Sequence, residues 1–130
     1  DMWKNQLNLQ GLLKNVRFLG RKSGPELANW VASSSALIYV SYFEGFGLPV
    51  LEGMLSGVPV VTSNLTSIPE VGGDSVIYVD PFNEDSITTG MEKAMENNQE
   101  LIKKALLQAK KFSWDISALK VKDLLLNAKN

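Results

Sequence analysis

Neither cysteine nor histidine occurs anywhere in the 130 residues. Their absence removes disulfides, thiol nucleophiles, imidazole bases and the usual soft metal ligands together. Chemistry carried by this chain falls to carboxylates, hydroxyls, amines and backbone groups. An excess of one charge is also lacking: 13 basic against 14 acidic residues leave a net charge of -1, with no basic block. Neither a nucleic-acid face nor a polybasic membrane patch is suggested, so any anionic ligand has to be held locally. No run approaches the roughly 18 apolar residues of a membrane span. The opening stretch, DMWKNQLNLQ, lacks the charged-then-apolar layout of a signal peptide. The chain reads as soluble, and a cytosolic location is compatible with its lack of cysteine.

What is present is enough apolar material, 45% of residues, for one core and one domain over residues 1–130. Short apolar runs alternate with stretches of helical period, the pattern of an α/β protein whose parallel sheet is joined by crossover helices. About four strands are expected: VRFL at 16–19, ALIYVS at 36–41, PVVTS at 59–63 and VIYVD at 76–80. GPELANWVASS and LPVLEGMLSG, with Pro25 and Pro49 at early helical positions, read as the crossover helices. After Pro81 the sequence is helical to its end, with Asn83 or Asp85 as a cap. Trp30, Phe18 and Tyr39 read as core aromatics.

The segment SYFEGFGLP at 41–49 lies where the second strand passes into a helix, and ligands of open parallel sheets bind beyond the carboxyl ends of the strands. Gly45 and Gly47 permit close backbone approach, and Pro49 pre-sets helical φ. The N–H groups around Phe46 to Leu48 would then point out of a helix start, which favours an anion, with phosphate the natural guest. Glu44 before this turn and Glu52 within the helix are poor phosphate ligands but good acceptors for hydroxyls. Two such acceptors around an anion-binding turn suit a nucleoside diphosphate sugar. The plainer alternative is that the glycines only make a turn and Glu52 is a solvated helix position. Against that alternative, Val50, Leu51, Met54 and Leu55 make the helix apolar on most sides, and a carboxylate there requires a partner or a wet cleft.

The sequence resembles the C-terminal, nucleotide-sugar-binding half of the retaining group 1 (family 4) glycosyltransferases, whose two Rossmann-like domains form the GT-B arrangement. The resemblance is carried by NVRFLG at 15–20, ELANWVASSSALIYVS at 26–41, EGFGLPVLEGMLSGVPVVTSN at 44–64, IPEVGGDSVIYVDPFNED at 68–85 and FSWD at 112–115. It implies that Glu44 binds donor-sugar hydroxyls, where positive charge develops at the anomeric carbon, and that Glu52 accepts from ribose hydroxyls. The backbone of Gly45, Phe46, Gly47 and Leu48 would face the sugar or the distal phosphate. The loop with Arg21 and Lys22 would lie beside the base. It further implies that no divalent metal or other cofactor is required, and that the leaving phosphate helps the acceptor lose its proton.

Two departures qualify the resemblance. The family's basic pair, an arginine and a lysine that neutralise the diphosphate, belongs to strands preceding this chain, and Arg17, Arg21 and Lys22 are not at those positions. The N-terminal domain, which would supply the site for a glycan or lipid-linked acceptor, is also not in this sequence. The expectation is therefore an N-terminally truncated donor domain, inactive by itself, from an enzyme that is cytoplasmic or peripheral to a membrane. With the strand order 3-2-1-4-5-6, either VRFL slides in beside ALIYVS or exposed edges pair with a second copy, as a homo-oligomer or by strand exchange. Alternative readings are a GT-B epimerase or phosphorylase, and a non-catalytic nucleotide-binding or assembly module.

Overall fold

The computed structural model describes residues 2–128. Their order is α1 (Met2–Leu9), a 3₁₀ turn (Leu13–Asn15), α2 (Gly24–Ala32), β1 (Leu37–Tyr39), α3 (Leu48–Leu55), β2 (Val60–Ser63), α4 (Ile68–Gly72), β3 (Ile77–Val79), α5 (Glu84–Ala94), α6 (Gln99–Ala109) and α7 (Trp114–Asn127). The three strands form one parallel sheet in the order β1-β2-β3, with Leu37 opposite Val60 and Val61 opposite Ile77. This is the expected α/β layout with its helical C-terminal third.

Alternation along the strands builds two cores. Val60 points to one face, where Val50 and Met54 of α3, Ile68 and Val71 of α4, and Ala105 and Ala109 of α6 are buried. Val61 points to the other, where Val79 and Ala94 are buried and Ile87 of α5 packs. Helices approach closely because glycine faces the sheet on both sides. A Cβ on Gly53 would lie 2.7 Å from Leu37 and Val60 side-chain atoms, and one on Gly90 only 2.3 Å from Val79 Cγ1.

Local chemistry explains the helix starts. Ser23 and Glu26 form a reciprocal capping box at α2, with Pro in its first turn. The Asn83 side chain accepts from the Ser86 N–H at 3.1 Å ahead of α5, so of the two expected caps Asn83 is used.

One expected strand is not formed. Val16 is extended (φ -117°, ψ 128°), but residues 16–19 pair with no strand among the described residues. Of the two arrangements expected for VRFL, insertion beside β1 does not occur. The segment is held by its side chains instead: Arg17 lies over the Trp30 ring at 5.2 Å and Lys4 over the Phe18 ring at 5.0 Å. Accordingly Phe18 and Trp30 are not core residues, being 50% and 42% exposed. Only Tyr39, packed against the larger core, keeps the expected role.

Candidate functional site

Two buried hydroxyls fix the chain as it leaves β1. Thr62 Oγ1 donates to the Tyr39 carbonyl at 2.8 Å and Ser63 Oγ to the Ser41 carbonyl at 2.5 Å, extending the β1–β2 pairing past the last ladder residue. The loop from Ser41 to Gly47 therefore departs from a rigid platform at the carboxyl edge of the sheet.

Glu44 is half-buried in that loop and held at three points. The Tyr39 hydroxyl donates to its Oε1, its own N–H donates to Thr66 Oγ1 at 3.1 Å, and Ser67 Oγ donates to its carbonyl at 2.9 Å. The carboxylate bond pushes the Tyr39 phenol above its ordinary value; desolvation and the charge of Glu44 act in the same direction. Thr66 is the one non-glycine with positive φ (52°) among the described residues. From sequence Tyr39 reads as packing. The period-2 alternation that aligns Leu37 and Tyr39 on one face, with Glu44 five residues on, is the signal that could have singled out the tyrosine.

The turn into α3 requires glycine at one of its two positions. Gly47 is the N-cap with φ 97°, and a Cβ there would come within 2.7 Å of Ile68 Cδ1. Gly45 has open space around it, so protein packing does not account for its missing side chain. The N–H groups of Phe46, Gly47 and Leu48 donate to no acceptor among the described residues, the condition expected of a helix N-terminus. Phe46 also makes an edge-to-face contact with Phe112, ring centroids 5.7 Å apart. That contact, between residues far apart in sequence, had no local signal.

Glu52 is on the exposed side of α3, without a hydrogen-bond or ion-pair partner among the described residues. The helix is apolar on most sides, as expected, but that apolar surface is only partly covered: α3 buries Val50, Gly53 and Met54, while Leu55 is 55% exposed. Glu52 therefore needs no internal partner. It shares a cleft of about 230 Å³ between α2 and α3 with Gly24, Leu27, Ala28, Val31, Leu55 and Ser56. Arg21 (exposed) and Lys22 (half-buried) immediately precede the capping serine of α2, which places them on the chain entering that cleft. Glu44 does not line that cleft.

A parallel sheet sandwiched by helices, with an open helix N-terminus and a fixed carboxylate at its carboxyl edge, is a Rossmann-like arrangement. Residues 1–112 match the family described as "Glycosyl transferases group 1", and the chain belongs to that family. It is 40% identical over 103 residues to the O-antigen chain mannosyltransferase B of Escherichia coli, covering 77% of this chain and 27% of that enzyme. It is also 35% identical over 82 residues to the MMP alpha-(1->4)-mannosyltransferase of Mycolicibacterium hassiacum, covering 61% of this chain and 20% of that one. Among solved structures, the sucrose-phosphate synthase from Thermosynechococcus elongatus superposes with a TM-score of 0.86 at 21% identity, covering 98% of this chain and 34% of that one. That likeness speaks to the fold. The chain spans about a quarter or less of these curated relatives.

Proposed function

We propose that this chain is the C-terminal, donor-binding domain of a larger retaining glycosyltransferase of the family 4 type, using a nucleoside diphosphate sugar. In this reading Glu44 accepts hydrogen bonds from donor-sugar hydroxyls and its charge offsets the positive charge that develops at the anomeric carbon. Glu52, exposed and unpartnered among the described residues, accepts from the two ribose hydroxyls. The N–H groups of Phe46, Gly47 and Leu48 face the distal phosphate or the sugar, and Gly45 keeps that approach open. Arg21 and Lys22 lie on the base side. The bond between the anomeric carbon and the diphosphate oxygen breaks, the bond to the acceptor oxygen forms on the same face, and the acceptor proton passes to the leaving phosphate. No divalent metal takes part.

The observation that carries the reading is the fixed Glu44 directly before a helix start whose N–H groups have no acceptor among the described residues. The relatives named above as mannosyltransferases favour mannose as the donor sugar; in this reading the rest of the enzyme binds a glycan or lipid-linked acceptor. No helix among the described residues is long and apolar enough to cross a membrane. Calorimetry of the complete enzyme with GDP-mannose, UDP-glucose and UDP-N-acetylglucosamine tests this. One of them is expected to bind, about tenfold more weakly after Glu52→Ala, the equivalent of about one charge-assisted hydrogen bond. Failure of all three to bind contradicts the proposal, and binding without sugar transfer supports a non-catalytic module instead.

A further inference from the structure

We propose that Tyr39, Thr66 and Ser67 are positioning residues for Glu44, a clasp that fixes one carboxylate oxygen and the local backbone while leaving the second oxygen to the substrate. The inference rests on the donor-binding role of Glu44 given above. Three groups from two different segments converge on this one residue: the Tyr39 hydroxyl on Oε1, Thr66 Oγ1 on the N–H, and Ser67 Oγ on the carbonyl. The segments are the last residue of an edge strand and the loop after the central one, and the chain between Ser41 and Glu44 has no regular structure to hold it otherwise. Thr66 carries a second sign of purpose. A β-branched residue at φ 52° is unfavourable and persists where its surroundings hold it, and here the strained residue presents its hydroxyl to the Glu44 backbone. Among the described residues the other carboxylate oxygen has no protein partner, so the clasp orients the side chain without occupying it. Tyr39 suits this task because a phenol donates to the ionised carboxylate and carries no charge that would compete with the donor for it.

The test is sugar transfer by the complete enzyme with the same three nucleotide sugars, comparing Tyr39→Phe, Thr66→Val, Thr66→Ser and Glu44→Gln, with melting temperature measured for each. Misplacement of a reacting group by a fraction of an ångström to an ångström costs up to about 100-fold. Tyr39→Phe is expected to lower kcat about 10- to 100-fold with donor KM within about threefold. Thr66→Val should lower kcat while Thr66→Ser, which keeps the hydroxyl, should restore it. Should Tyr39→Phe fail to fold, the contrast between valine and serine at position 66 decides. Wild-type kcat in Tyr39→Phe and Thr66→Val, alongside a strongly impaired Glu44→Gln, overturns the positioning role. Wild-type activity in Glu44→Gln overturns the role of Glu44 itself.

Discussion

Helices α3 and α7 are both rich in leucine and both begin well, yet they meet opposite fates in the fold. At α3 the start is set by Gly47 and Pro49; at α7 the Ser113 hydroxyl accepts from the Ile116 N–H at 3.1 Å. Helix α3 lies between the sheet and α6 and buries Val50, Gly53 and Met54. Helix α7 buries no residue among those described, and Trp114 at its head is 85% exposed. Caps and propensity make a helix locally possible, but its stability comes from what covers its apolar face. The candidate site is built on the covered helix, and that gives its geometry a rigid base.

The sharpest way to break this comparison is core truncation. Met54→Ala in α3, where Met54 is fully buried, should cost about 2–5 kcal/mol in urea unfolding. Next is Gly47→Ala, which forces a side chain into left-handed backbone and against Ile68; a loss of about 1–3 kcal/mol is expected, with weakened nucleotide-sugar binding. Smaller again is the alkaline behaviour of Tyr39. Its folded pKa is raised, so the folded state holds the proton more tightly than the unfolded chain. The resulting stability is fully present below about pH 10 and is lost as pH rises through the folded value. Tyr39→Phe should reduce the alkaline limb of the melting temperature measured against pH, leaving the part due to Tyr78, whose phenol burial also pushes up. The smallest effect is expected at Leu125→Ala in α7, within about 0.5 kcal/mol of wild type. A cost at Leu125 comparable to that at Met54 would erase the contrast.

Much of the layout was legible because it follows from local signals. The proline-led helices, the Asn83 cap and the three paired strands could be read from period and punctuation. VRFL was misread for a reason local pattern cannot supply: an extended run becomes a strand only where the fold lays it against a strand edge, and residues 16–19 pair with no strand among the described residues. The same blindness applies to burial, since Trp30 and Phe18 have the periodicity of core residues but stay partly exposed, each with a cation over its ring. At the site, EGFGLP announced the turn and Glu44. The residues that hold Glu44, Thr66 and Ser67, come from beyond a strand and a helix, and only the folded chain brings them to it. Glu52 was picked out as a hydroxyl acceptor following that turn and by the resemblance; the supporting argument from burial fails, since Glu52 is exposed beside the α2–α3 cleft.

The central claim is that Glu44 acts on the donor sugar from a fixed position, and it is tested most directly by the transfer rate of the complete enzyme carrying Glu44→Gln. The substitution preserves size and removes the charge. A fall in kcat of about 100-fold or more is expected, with nucleotide diphosphate binding retained. A kcat within twofold of wild type would contradict it.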